Sequence, residues 1–177
     1  APTILLGYHT PASSHADYYA LDLLASILAQ GESSRLFKGL VDKELALEVY
    51  AEQPQSFDPN LFYVYANAAS GVSADKLEQA LVAEVNRIAS NGVSKEELDK
   101  VRNFKLMQFY REMETINGKA NMLGTYELYF GSYQRLFDAP NYYNKVSSAD
   151  IQRVAKTYLK KSNRSVAILD AKEDLDL

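Results

Sequence analysis

The sequence predicts an α+β domain: an antiparallel four-stranded sheet with helices packed on one face. Three observations carry this. Short β-compatible segments stand at both ends of the chain and in its first half: 3–8 (TILLGY), 45–50 (LALEVY), 61–69 (LFYVYANAA) and 165–169 (SVAIL). The two middle segments are joined by 53–60, which holds Pro54, Asp58 and Pro59 and suits a turn or bulged connection, so they are expected to pair as antiparallel neighbours. The remaining segments carry apolar residues at spacings of three and four and follow one another without alternating with strands. That order argues for a layered α+β arrangement and against a wound parallel sheet.

Each element follows from its residues. After the first strand, Pro11 breaks regular structure, and Ser13 or Ser14 is placed to precede a helix with Asp17 in or before its first turn. Leu21, Leu24, Ala25 and Leu28 give that helix its stripe, and Leu23 and Ile27 widen it, which predicts burial on much of its surface. Gly31 is expected to end it. Ser33 or Ser34 then reads as the cap of a second helix over 35–42. In 45–50, Leu45, Leu47 and Val49 alternate with Ala46, Glu48 and Tyr50, the period of a strand.

Further on, Ser73 and Asp75 open a helix with Leu77, Leu81, Val85 and Ile88 on one face, ended by Asn91-Gly92. Ser94 followed by Glu97 is a capping box, and a long helical region runs from it, with Gly118 marking a close contact or kink before Gly131 ends it. A short helix over 136–143 follows. Ser147 or Ser148 caps another helix, whose C-terminal end gathers Lys160, Lys161 and Arg164, cations that complement its dipole. The residues 171–177 read as a flexible acidic tail.

Composition narrows the function. At 177 residues, 47% apolar and 24% charged, the chain can bury one good core, and 1–177 is expected to form a single domain. A net charge of −4, with the basic residues near 153–164 forming only a helix-end cluster, argues against nucleic acid. There is no cysteine, hence no disulfide, thiol nucleophile or cysteine zinc site within the chain. No run reaches membrane-span length. The chain starts almost at once in a strand-like segment without an initiator Met, as expected of an excised domain or processed product. Thirteen tyrosines, many in near-pairs (Tyr18-Tyr19, Tyr63 and Tyr65, Tyr142-Tyr143), are expected mostly as buried rings with a polar edge, the rival being an exposed peptide-binding surface. The only histidines, His9 and His15, flank the proline loop. A catalytic zinc takes three protein ligands, so the pair is expected to be solvent-exposed or locally hydrogen-bonded.

LLASILAQGESSRLF at 23–37, followed by LVDKELA at 40–46, resembles the C-terminal, non-catalytic homology domain of the pitrilysin/insulinase family of inverted-motif zinc metallopeptidases. Mitochondrial processing peptidases and bc1 core proteins share that domain. The helix start VSKEEL at 93–98, the late helix VSSADIQRVAKTYL at 146–159 and the strand NRSVAIL at 163–169 are similar to the corresponding family segments, in the same order. The resemblance spans nearly the whole chain and implies the LuxS/processing-peptidase-like metalloenzyme fold. It implies no catalytic residue and no cofactor here, with zinc in a companion domain carrying an inverted His-Xaa-Xaa-Glu-His motif that this chain lacks. It also implies two partners: an N-terminal zinc-bearing domain or homologous subunit, and a peptide substrate enclosed between the halves.

Competent relatives supply an Arg and, seven residues on, a Tyr that face the substrate. Carried across, those positions fall on Asp42 and Val49, so the pair is missing; a carboxylate cannot replace a cationic donor, and valine cannot donate. Tyr50 is adjacent but strand period points it to the other face. Arg35, in the family's Ser-Ser-Arg-Leu sequence, has two roles open to it. One is contact with an anion or substrate terminus at a helix start. The other, favoured here, is structural pairing with a carboxylate such as Glu32, or packing of its stem. The leading expectation is therefore a non-catalytic domain that helps enclose peptide substrate, its parent a zinc metalloendopeptidase. The alternative is an inert structural or assembly domain like the bc1 core proteins. By resemblance alone, a periplasmic location in a bacterium is expected.

Overall fold

The structure, a computed structural model, describes residues 1–170; the expected tail at 171–177 lies outside them. Four strands, β1 (Thr3–Thr10), β2 (Ala46–Glu52), β3 (Asn60–Ala68) and β4 (Arg164–Leu169), form one sheet in the order β2-β3-β1-β4. Every neighbouring pair is antiparallel. Among the described residues six α-helices complete it: α1 (Tyr18–Ala29), α2 (Ala74–Asn91), α3 (Lys95–Glu114), α4 (Ile116–Phe130), α5 (Arg135–Lys145) and α6 (Ser148–Tyr158). The α+β class, the four-stranded antiparallel sheet and the one-sided helical layer are as the sequence predicts.

Period two decides which face the helices cover. Ile4, Leu6 and Tyr8 of β1 and Phe62, Val64, Ala66 and Ala68 of β3 are buried beneath the helices, while Leu5, Tyr63 and Tyr65 point to the half-buried opposite face. The buried apolar side chains form one contiguous cluster, to which α1 contributes nearly all its length. Such a helix is apolar around most of its circumference because it is packed on several sides. Tyr18 and Tyr19 of α1 meet Phe130 of α4, and Tyr19 stacks on Tyr142 of α5 with ring centroids 5.0 Å apart. The near-paired tyrosines of the helical layer are thus mainly core rings.

The local caps read from sequence are present. Ser73 Oγ accepts from the Lys76 amide, and the Ser94/Glu97 and Ser147/Asp150 pairs form complete capping boxes. Gly31, at φ 77°, follows the C-cap residue Gln30 of α1 in the left-handed region that a side chain disfavours.

Four local expectations are corrected. The second helix over 35–42 is one α-like step followed by a π-turn at Phe37–Val41, closed by the Asp42 amide donating to the Phe37 carbonyl. Gly39 sits in it because an added Cβ would lie 2.6 Å from the Glu84 carboxyl group. Neither Ser33 nor Ser34 caps it: Ser33 Oγ accepts from Lys100 Nζ, and Ser34 Oγ is buried without a partner. The alternation over 45–50 is broken by a register shift between Ala46 and Glu48, which turns Leu47 outward at 70% exposure. The long helical region is divided at Thr115, which ends α3 and caps α4 through Oγ1, accepting from the Gly118 amide. Gly118 is therefore in the first turn of a new helix and marks no mid-helix kink; an added Cβ would meet the Glu112 carbonyl oxygen there at 2.0 Å.

Candidate functional site

A groove of about 450 Å³, open to solvent, lies between α1, the outer end of β2, α3 and α4. Its walls are mostly polar: Asp22 and Ser26 of α1 and Lys105, Gln108 and Glu112 of α3 line it. Asp22 interrupts the apolar run of α1 and is almost fully buried. A buried carboxylate needs partners. Asp22 has two: Lys105 Nζ of α3 at 2.8 Å and the Tyr143 hydroxyl of α5 at 2.6 Å. Burial, with the Asp22 charge next, pushes the Tyr143 phenol well above its ordinary pKa, so it stays protonated and donates. The triad ties α1, α3 and α5 together at the groove wall.

The β2 side of the groove ends in Ala51, Glu52 and Gln53. Gln53 is 3% exposed; its Nε2 makes one long contact, 3.4 Å, to the Pro54 carbonyl, and its Oε1 has no hydrogen-bond partner. Glu52 accepts from the Tyr50 hydroxyl at 2.7 Å. Burial first, then the Glu52 bond, pushes the Tyr50 phenol up to about 12. Glu112 of α3 completes the charged lining.

Arg35 lies outside this groove. Its guanidinium grips Glu97 of α3 in a two-point ion pair, Nε to Oε1 and Nη2 to Oε2 (2.9 Å). The same Glu97 accepts from the Ser94 amide in the capping box. The Arg35 bond, foremost, holds the Glu97 carboxyl below its ordinary pKa. The partner is thus a carboxylate 62 positions away, replacing the expected neighbour Glu32. Asp42 ends the π-turn through its backbone amide and is exposed. Val49 is half-buried on β2 opposite Ala66, so it shares the helical face, while Tyr50 lies beside Tyr65 on the other face, as strand period requires.

His9 is exposed, with its carbonyl accepting from Asn163; His15 Nδ1 accepts from the Asp17 amide at 3.1 Å. Among the described residues no cluster of three or more His, Cys, Asp or Glu is arranged to hold a metal. The residues present do not fit a catalytic zinc, which needs three protein ligands and an open position. Nor is any helix among them long and apolar enough to cross a membrane.

Sequence reasoning passed over Asp22, Lys105, Tyr143 and Gln53. A signal for Asp22 exists: a carboxylate inside a helix that is otherwise apolar on nearly every side implies buried partners. For Gln53, nothing in its immediate sequence marks an orphaned amide.

The family model described as the peptidase M16 inactive domain matches residues 1–104. A curated zinc protease, PqqE of Helicobacter pylori, is 30% identical over 167 residues, covering 94% of this chain and 37% of its own. The solved inactive peptidase domain from Bordetella parapertussis is 29% identical with TM-score 0.89, covering 98% of this chain and 92% of that one. A solved protease from Helicobacter pylori is also 29% identical with TM-score 0.89, covering 96% of this chain and 41% of that one. The chain therefore spans about two-fifths of the length of the curated relatives it matches, 37%, 40% and 36% for three bacterial zinc proteases.

Proposed function

We propose, for a chain that belongs to the peptidase M16 inactive-domain family, that it forms the non-catalytic wall of a peptidase chamber. Peptide substrate is enclosed between this domain and a zinc-bearing domain, on the same polypeptide or on a homologous subunit. Peptide-bond hydrolysis is carried by the companion, where metal-activated water attacks the carbonyl. The observation that carries this reading is the pairing of a family match described as inactive with a polar, open groove that has no metal-ligand set among the described residues.

Within this reading the missing Arg/Tyr pair is assigned to the substitutions at Asp42 and Val49, neither of which supplies a cationic or hydroxyl donor to substrate. Arg35 is assigned a structural role first, since Glu97 already occupies its planar donor face. Its use as a substrate contact would require breaking that pair. The whole chain, 1–177, is taken as one domain of a longer periplasmic peptidase.

Reconstitution tests the proposal. Peptide hydrolysis by the zinc-bearing domain is measured alone and with this chain added in excess. Effective enclosure predicts a rise in kcat/KM of about tenfold or more, the scale of positioning effects. An unchanged kcat/KM despite measurable association of the two domains would contradict it.

A further inference from the structure

The two edges of the sheet differ. β2 carries a register shift between Ala46 and Glu48 and exposes the carboxylates of Glu48 and Glu52, features that blunt an edge against further pairing. β4, at the other edge, pairs with β1 without interruption from Arg164 to Leu169, and its interior, SVAIL, holds no charge, proline or bulge. Among the described residues no strand lies on its outer side. Val166 and Ile168 point to the helical face, where their β1 partners Leu6 and Ile4 are fully buried, yet they are 38% and 47% exposed. The helices stop short of this edge and leave an apolar strip open beside it. An open, regular edge of this kind is matched by an extended backbone, whose amides and carbonyls continue the ladder.

The sequence of β4 complements itself. Run antiparallel about Ala167, it sets Val166 against Ile168, Ser165 against Leu169 and Arg164 against Asp170. The members of each pair are an even number of residues apart, so both lie on one face, as a ladder requires. Branched apolar side chains meet on the helical face, opposite charges meet at both ends, and the small Ala167 sits on the axis. Arg164 and Asp170 need release no contact within their own chain, since a guanidinium offers several donors and a carboxylate several acceptor sites. From this geometry we infer that β4 is a homodimer interface: two copies of the chain pair β4 to β4 about a two-fold axis through Ala167, and their sheets become one. The helical layers of both copies then lie on the same side of the joined sheet, and the open strips of Val166 and Ile168 close against each other between them. The match of charges and apolar positions under two-fold symmetry is what commits this edge to a second copy. The interface goes beyond the enclosing role and does not depend on it.

Sedimentation equilibrium and site-specific crosslinking test this together. The unaltered chain should show a monomer–dimer equilibrium with a Kd of about 0.1 mM, the affinity of an interface at the low end of the size range. Ile168→Lys, which sets an ammonium against Val166 across the axis, should weaken it by about tenfold or more. Asp170→Lys, which opposes two cations at each end, should weaken it about three- to tenfold. Both positions are exposed, so thermal melts should show the fold retained. The chain has no cysteine, so introduced ones report the register. Directly opposed residues of an antiparallel pair have Cα atoms about 4.5–5.5 Å apart, within disulfide reach. Ala167→Cys should therefore form a covalent dimer when oxidised with diamide. Ser165→Cys alone should not, because its two copies stand roughly 13 Å apart along the strands, whereas Ser165→Cys mixed with Leu169→Cys should give a crosslinked heterodimer. A chain that stays monomeric at about tenfold the expected Kd overturns the inference. Crosslinking through Ser165→Cys alone, or a dimer that Ile168→Lys leaves intact, overturns it too, since the contact is then in another register or on another face. The enclosing role is judged separately by reconstitution with the zinc-bearing domain and survives each of these results.

Discussion

Replacing Asp22 by alanine tests how the groove wall is held. The carboxylate binds Lys105 at 2.8 Å and the Tyr143 hydroxyl at 2.6 Å, and only 7% of the residue is exposed. A hydrogen bond to a charged group contributes about 1.5–3 kcal/mol. Removing one member of a buried ion pair costs about 3–5 kcal/mol, because the other charge is left behind. Lys105 keeps a side-chain exposure of 23%, so its stranded ammonium is partly rehydrated and the lower end applies. Asp22→Ala is therefore expected to destabilise by about 3 kcal/mol, or about 6–12 °C in Tm for a chain of this size. Asp22→Asn keeps an acceptor for Tyr143 but loses the charge, and should cost about half as much. Adding Lys105→Met to Asp22→Ala should restore about 1–2 kcal/mol, because the unpaired ammonium is gone. Urea unfolding followed by circular dichroism reads all three. A loss under about 1 kcal/mol for Asp22→Ala, or no recovery in the double variant, would refute a triad that holds α1, α3 and α5 together.

Other expectations follow from named contacts. Arg35→Met should cost about 1–2 kcal/mol, between exposed and buried pairs, and Glu97→Gln somewhat more since it also weakens the Ser94 capping box; urea midpoints check the order. Asp17, held below its ordinary pKa chiefly by Arg153, with Tyr158 also bonded to it, contributes stability that is fully present above its unfolded pKa and is lost as pH falls through its lower folded value. Glu97 and Asp150 are lowered as well, so unfolding midpoints should fall from about pH 5 toward pH 3, and Asp17→Asn should flatten that limb. Gly39→Ala should destabilise by about 1–3 kcal/mol through collision with Glu84, and Glu84→Ala in the same chain should relieve most of it in a thermal melt.

What the sequence made legible was local or periodic. The β1 and β3 faces follow from alternation, and the Ser94/Glu97 and Ser147/Asp150 boxes each lie within four residues, where spacing alone dictates the bond. The break at Thr115 escaped because apolar residues at helical spacing continue across it, and a single capping threonine is a weak signal. The π-turn at Phe37–Val41 depends on Glu84 packing against Gly39, a contact 45 residues away in the chain. The site residues are harder still. Asp22, Lys105 and Tyr143 are brought together by helix packing across separations of 83 and 121 residues. Arg35 likewise finds Glu97 only once α3 docks against the loop after α1. The positions Asp42 and Val49 were placed by resemblance alone, and the structure shows one at the end of a turn and the other on the helical face of β2.

The central claim is that this domain contributes a wall and no chemistry. The most direct measurement is peptide hydrolysis by the purified chain alone, with zinc added over a wide range. The account predicts no turnover above buffer at any zinc concentration, because no ligand set for the metal exists among the described residues. Zinc-dependent cleavage that copurifies with the chain and survives removal of contaminating protease would contradict it.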